Sequence, residues 1–176
     1  MRLRKMRQDQ FILGVIVSNH FGVLTRVSGL FSRRGYNIDS LNVSETEDPK
    51  FSRMTIIVTG DDYIKNQIVK QLSKLRDVKK VELLPADATV LREHMLIKLD
   101  IKGHSISEIT EAANIFRAKV IDFNADSVTI EMTGESSKLD AFIDYAKTFG
   151  IIELCRAGAL AVKRGPGALN GEYNED

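Results

Sequence analysis

The stretch Ser18-Asn-His-Phe-Gly-Val-Leu24 carries the residue types best suited to chemistry in this chain. It joins an apolar, β-branched run, 11–17, to a helical pattern that begins near Val23. A helix N-terminus presents free backbone N–H groups and the positive end of the helix dipole, so it suits a carboxylate. Gly22 has no Cβ and lets a ligand approach the backbone closely. Asn19 can cap the helix or hydrogen-bond a polar ligand group. The plainer reading is that Asn19 is the cap and Gly22 a turn residue. A second stretch, Arg34-Gly-Tyr-Asn-Ile-Asp-Ser40, lies where this helix stops. Its Asn37 offers a carbonyl acceptor suited to an ammonium group, and its plainer reading is a turn residue after Gly35.

The rest of the chain offers less. His20, His94 and His104 lack metal-ligand spacing and read as surface or capping residues, so no metal site is expected. There is no G-x-x-x-x-G-K-[ST] phosphate loop, and no helix follows Gly165-Pro-Gly167 to make a dinucleotide site. Carboxylates are scattered over polar helix faces, as in Asp61-Asp62, where first-turn acids suit the dipole. No catalytic set emerges. The single cysteine, Cys155, excludes an internal disulfide and fits a reducing cytoplasm. It lies in the apolar run 151–162 and reads as a core thiol. Lys and Arg total 25 against 24 Asp and Glu, and the net charge of +1 supplies no general attraction to nucleic acid or anionic membrane. The basic start, Met1 to Arg7, is not followed by a signal-type apolar stretch, and no run is long enough to span a bilayer. The expectation is a cytoplasmic protein.

The elements that must position the two polar stretches form one pattern written twice. In the first half, strand 11–17 leads to a helix striped by Val23, Leu24, Val27, Leu30 and Phe31. Strands 38–44 and 53–59 follow, separated by a polar loop that contains Pro49. A helix striped by Ile64, Ile68, Leu72 and Leu75 and a strand at 79–84 complete the order βαββαβ. After Pro85-Ala-Asp87 the order repeats: strand 95–101, a helix striped by Ile106, Ile109, Ala113 and Phe116, and strands 119–123 and 127–133. A helix over Leu139, Phe142, Ile143, Ala146 and Phe149 and a final strand within 151–162 close it. Val58-Thr-Gly60 and Met132-Thr-Gly134 end corresponding strands; Phe31 to Gly60 is 29 residues and Phe116 to Gly134 is 18, so the second half lacks the long middle loop.

The fold class expected is α+β, with two ferredoxin-like βαββαβ domains in tandem over 10–85 and 90–163 and a mobile polar tail at 164–176. The first strand is apolar on both faces, with Phe11, Leu13, Val15 and Val17 on one side and Ile12 and Ile16 on the other. Such a strand expects burial on both faces, under the second domain, another subunit, or both. Half-domains this small commonly gain stability by associating, which favours a dimer.

Three functional classes use this arrangement. A phosphate-cleaving enzyme of the acylphosphatase kind needs Arg and Asn in a phosphate loop, but Arg26, Arg33 and Arg34 lie in or after the first helix. An RNA-recognition module needs aromatics on a central strand, and Met54 to Val58 has none. An allosteric module needs a ligand loop, apolar surface for partners and no catalytic set, and this chain has those.

The run Asn19-His-Phe-Gly-Val-Leu-Thr-Arg-Val-Ser-Gly-Leu-Phe-Ser-Arg-Arg-Gly-Tyr-Asn-Ile-Asp-Ser-Leu41 resembles the start of the small subunits of acetolactate synthase (acetohydroxyacid synthase). Ser52-Arg-Met-Thr-Ile56, 67–78, Arg92 to Lys98, Ile115 to Asp122, Lys138 to Phe142 and Arg156-Ala-Gly158 are similar as well, and the likeness covers about 10–165. It implies a regulatory, non-catalytic subunit that activates a large catalytic subunit and mediates feedback inhibition in branched-chain amino acid biosynthesis. It implies an N-terminal ACT domain that pairs side by side in a homodimer, with an amino acid, usually valine, at the interface. By carry-over, the backbone N–H groups of Gly22, Val23 and Leu24 hold the ligand carboxylate, and Asn19 contacts it from the same loop. Asn37 and Ile38 reach it from the facing subunit; Val23, Leu24 and Ile38 can line an aliphatic pocket. Thiamine diphosphate, magnesium and FAD are implied on the catalytic subunit and no cofactor on this chain. An ACT protein regulating a different enzyme is the rival reading.

Overall fold

A computed structural model of the chain describes residues 9–103 and 105–169. It forms two compact units, which within the described residues are 9–91 with 158–169, and 92–157.

In the first unit the elements run β1 (Gln10–Ser18), α1 (Val23–Arg33), β2 (Ile38–Glu45), β3 (Phe51–Thr59), α2 (Asp62–Leu72) and β4 (Val78–Leu84). The strands form an antiparallel sheet in the order β2-β3-β1-β4. This is the expected ferredoxin-like order. Alternation along β1 sends Leu13, Val15 and Val17 to the helix face, where they pack with Met54, Ile56 and Val58 of β3. Val23, Val27, Leu30 and Phe31 of α1 and Ile68 and Leu72 of α2 complete this core at helical spacing. Asp61 starts α2 as its N-cap, accepting from the Ile64 N–H at 2.8 Å.

The opposite sheet face is buried too, but the chain covers it with its own C-terminal segment. Ile12, Ile57 and Leu84 pack with Ala159 and Ala161, and Ile16 and Phe51 with Leu169. Gly158 enters this face so closely that a Cβ there would stand 2.3 Å from the Leu41 carbonyl oxygen, so only glycine fits. The Ala159 N–H donates to Ser40 Oγ at 3.0 Å, Arg53 donates to the Ala161 carbonyl at 2.5 Å, and Lys163 pairs with Glu82. The run 151–162 is therefore two strands, β8 (Ile151–Arg156) in the second unit and β9 (Leu160–Lys163) in the first. Sequence periodicity does not separate them, because both halves of the run are apolar and only Gly158 marks the break. The polar tail expected from Arg164 is packed in its first part: the Arg164 N–H donates to the Ala88 carbonyl at 2.8 Å and Leu169 is buried. Its remainder, 170–176, lies outside the described residues, as does His104.

The second unit repeats the order with β5 (Thr89–Asp100), α3 (Ile106–Ile115), β6 (Lys119–Phe123), β7 (Ser127–Gly134), α4 (Ser136–Ala146) and β8, in the sheet order β6-β7-β5-β8. β5 starts earlier than the apolar pattern indicates and also pairs with β9; its residues 89–91 belong to the first unit. The helix-facing core gathers Met95, Ile97, Leu99, Ile130, Met132, Leu139 and Phe142. The other sheet face is polar, with Lys98 near Glu153 and His94 near Glu131. Cys155 is exposed, not a core thiol. Its partner across the ladder is Leu96, on the polar face, so strand alternation turns the thiol outward. The short connection expected between β6 and β7 is a tight turn in which Asn124 Oδ1 accepts from the Asp126 and Ser127 N–H groups. No helix among the described residues is long and apolar enough to cross a membrane.

Candidate functional site

The loop 19–22 is built by backbone and side-chain ties. At its base the Ser18 N–H donates to the Asp77 carbonyl at 2.8 Å and the Asn19 N–H to the Lys50 carbonyl at 2.7 Å. Gly22, at φ 82° and ψ −5°, is the N-cap residue of α1, in the left-handed region that favours glycine. Asn19 does not cap the helix. Its Nδ2 donates to Glu45 Oε1 and to the Pro49 carbonyl, both at 2.9 Å, which pins the loop to the end of β2 and the β2–β3 connection. No side chain caps α1, and no acidic residue sits in its first turn. Among the described residues the Gly22 and Leu24 N–H groups find no backbone acceptor, whereas the Val23 N–H reaches the His20 carbonyl at a long 3.4 Å. This end of α1 therefore keeps free donors and an uncompensated dipole, which is what an anion requires. Val23 is buried in the core, while Leu24 is 43% exposed beside the loop.

Two residues beyond the sequence reading shape this end. Arg26 Nε donates to Asp77 Oδ2 at 2.6 Å, and His20 Nε2 lies 2.9 Å from Asp77 Oδ1. The carboxylate thus fastens the loop and the first turn of α1 to the α2–β4 connection. Burial works against the Asp77 carboxylate, but Arg26 and then His20 outweigh it and hold its pKa below the usual carboxylate range. Arg26 Nη1 would lie 3.1 Å from a Cβ on Gly22, so the guanidinium flanks the free N–H groups. Ser18, His20, Arg26, Arg76, Asp77 and Lys79 line one open cleft here, with four basic side chains against one acid. Arg26 was legible in principle, since it lies one helical turn after Gly22 and a helical side chain leans toward the N-terminus.

Asn37 and Ile38 lie elsewhere. Asn37 Nδ2 donates to Asp39 Oδ1 at 3.0 Å, and Asp39 Oδ2 accepts from Gln10 Nε2 at 3.1 Å and from Thr59 Oγ1 at 2.5 Å. With its amide donor committed to Asp39, Asn37 keeps its carbonyl oxygen as the acceptor. Ile38 is half-buried against the first core and pairs with Val58. The β1–α1 loop meets Glu45 at one end of β2, and Asn37 precedes the other end. The eight residues of β2 span about 26 Å, so within one chain the six residues fall into two groups separated by more than the length of an amino acid. Among the described residues no group of three His, Cys, Asp or Glu side chains is placed to hold a metal ion.

Comparison with known proteins identifies this arrangement. Residues 13–80 match the family model described as the AHAS small subunit-like ACT domain, and 92–165 match that of the small subunit of acetolactate synthase. The chain belongs to the acetolactate synthase small-subunit family. A probable acetolactate synthase small subunit from Methanothermobacter thermautotrophicus is 47% identical over 92% of this chain and 96% of its own length. The acetolactate synthase isozyme 3 small subunit of Escherichia coli is 46% identical over 88% of this chain and 95% of its own. The crystal structure of the acetolactate synthase small subunit from Thermotoga maritima superposes with a TM-score of 0.85 at 38% identity, covering 90% of this chain and 99% of that one. The two matched segments fall on the two βαββαβ repeats, so the small-subunit family pairs an ACT domain with a second domain of the same strand order.

Proposed function

We propose that this chain is the regulatory subunit of a thiamine-diphosphate-dependent acetolactate synthase, activating a separate catalytic subunit and mediating feedback inhibition by a branched-chain amino acid, with valine as the family's usual ligand. Thiamine diphosphate, magnesium and FAD would belong to the catalytic subunit. The ligand lies between the ACT domains of two copies of the chain. Its carboxylate takes the free N–H groups of Gly22 and Leu24 and, with local adjustment, that of Val23, with Asn19 holding the loop beside it. Its ammonium group meets the Asn37 carbonyl of the facing copy, and its side chain packs on Val23, Leu24 and Ile38.

The observation that carries this reading is the separation of the two groups along β2. One amino acid cannot touch both within a chain, so the reading requires a two-fold pairing of ACT domains that sets the loop of one copy against the Asn37 of the other. The free donors at Gly22 and the acceptor carbonyl of the exposed Asn37 have the polarity that an α-amino acid needs.

A mixed dimer tests the arrangement. One chain carries Gly22→Asp and the other Asn37→Ala, and the dimer is titrated with valine. One composite site then holds both defects and the other none, so half of the binding capacity is expected at near-native affinity. Two equally weakened sites would place the ligand within one chain. Addition of the chain to the isolated catalytic subunit is expected to raise pyruvate condensation, which the chain alone does not perform.

A further inference from the structure

An amide side chain offers an acceptor on one side and donors on the other, so the way Asn37 is turned decides which ligand group it can hold. Asp39 fixes that turn. Asn37 Nδ2 donates to Asp39 Oδ1 at 3.0 Å. An ionised carboxylate accepts hydrogen bonds and donates none, so the amide NH2 must face it and the carbonyl oxygen must lie on the other side. Turned over, the amide would set two acceptors against each other and lose the bond.

Asp39 is itself held from two neighbouring strands. Its Oδ2 accepts from Thr59 Oγ1 of β3 at 2.5 Å and from Gln10 Nε2 of β1 at 3.1 Å. Gln10 and Thr59 are paired directly across β1 and β3, so the two donors stand side by side. An irregularity in β2 accompanies this. The register against β3 shifts between Ile38, opposite Val58, and Ser40, opposite Ile57, which makes Asp39 the extra residue of a β-bulge. A bulge takes one residue out of the regular alternation and re-aims its side chain. The half-buried carboxylate is thus gripped at one oxygen by two strands and holds the exposed Asn37 with the other.

We propose, on the reading that Asn37 meets the ligand, that Asp39 is a positioning residue. It acts through Asn37 to present an acceptor, and so makes the site select an ammonium group over a carbonyl oxygen at the ligand's α-carbon.

Titration of the full chain with two probes tests it. Valine and 3-methyl-2-oxobutanoate share a carboxylate and an isopropyl group, but one carries an ammonium donor where the other carries a carbonyl acceptor. In Asp39→Asn the new amide can donate to the Asn37 carbonyl, which lets Asn37 turn over. The ratio of affinities, valine over oxo acid, is expected to fall at least about tenfold. A ratio that stays within about twofold of wild type overturns the proposal. Asp39 also carries charge, and an Asn37→Ala background separates charge from positioning. There Asp39→Asn is expected to change the ratio by less than about twofold, because the residue it acts through is gone. A fall as large as in the native background means that Asp39 acts by charge alone, and overturns the proposal. The exchange Asn37→Asp with Asp39→Asn keeps the net charge and the bond between the two positions and sets an acceptor at 37 in either orientation. It is expected to hold the ratio at or above the wild-type value, and it decides the matter where the single variant does not fold: a ratio about tenfold lower overturns the proposal. If Asn37→Ala alone leaves both affinities unchanged, the ligand reading itself is refuted and the proposal falls with it.

Discussion

Substitution of Gly22 separates what the backbone requires from what the ligand requires. At φ 82° an L-residue sits in the left-handed region, at a cost of about 1–2 kcal/mol for alanine. An alanine Cβ would also stand 3.1 Å from Arg26 Nη1, but that is the end of a flexible side chain and can yield. Aspartate tolerates left-handed backbone better than alanine, and its carboxylate would lie at the N-terminus of α1 beside Arg26, a gain of about 0.3–1 kcal/mol. Stability is therefore expected to fall in the order Gly, Asp, Ala. Binding is expected to fall in the order Gly, Ala, Asp. A charge-assisted hydrogen bond to the ligand carboxylate is worth about 1.5–3 kcal/mol. Loss of one to the alanine methyl weakens binding about ten- to a hundredfold, since 1.4 kcal/mol is about one decade. Aspartate places a fixed negative charge where the ligand carboxylate belongs, and its loss is expected to exceed a hundredfold. Urea unfolding gives the first order and calorimetric titration with valine the second. An alanine variant that binds valine within twofold of wild type, or an aspartate variant less stable than the alanine one, would refute the reasoning.

Four further outcomes are expected. Asp77→Asn releases Arg26 and His20, whose side chains are half-exposed, so its cost at pH 7 is about 0.5–1 kcal/mol. Because the folded pKa of Asp77 is depressed, its contribution is present above the unfolded value near 4 and is lost as pH falls through the folded pKa; unfolding of wild type and variant is therefore expected to converge as acid takes the pH below the folded pKa. Gly158→Ala drives a Cβ into the Leu41 backbone and lifts the covering segment, for a loss of about 2–3 kcal/mol in urea unfolding. Arg156→Met leaves the half-buried Glu93 and Asp140 facing each other without their cation, for about 2–3 kcal/mol in the same assay. Cys155 is expected to be alkylated by iodoacetamide in the folded state, whereas a protected thiol would mean that the polar face of the second sheet is covered.

Where one element faces one environment, the chain is legible from periodicity. The stripe Val23, Val27, Leu30, Phe31 and the alternation Leu13, Val15, Val17 each point to one core, and both are found there. The duplication and the missing middle loop follow from spacing alone. What periodicity cannot report is which distant segment covers a face. Ile12 and Ile16 announce that the second face of β1 is buried, but the cover is Ala159, Ala161 and Leu169, small or isolated apolar residues that read as strand end and tail. Cys155 is misjudged for the same reason. An apolar run on an edge strand need not be buried on both faces, and its neighbours Ile152 and Leu154 are themselves exposed. At the candidate site the residue types are legible but their ties are not. Asn19 has the chemistry of a cap, yet bonds across 26 and 30 residues to Glu45 and Pro49, which no local rule anticipates.

The two repeats share a strand order but use it differently, and the difference follows from which sheet face is apolar. In the first unit both faces carry large apolar side chains, so the chain needs its C-terminal segment back over β2 and β4 to bury the second one. That segment binds Ser40 and Leu41 on the same strand whose start follows Asn37 and whose end holds Asn19 through Glu45. β2 is therefore fixed at its middle by residues that continue directly from β8 of the second unit. In the second unit the outer face is polar, with His94 near Glu131 and Lys98 near Glu153, so it does not draw an apolar segment over itself as the first unit does.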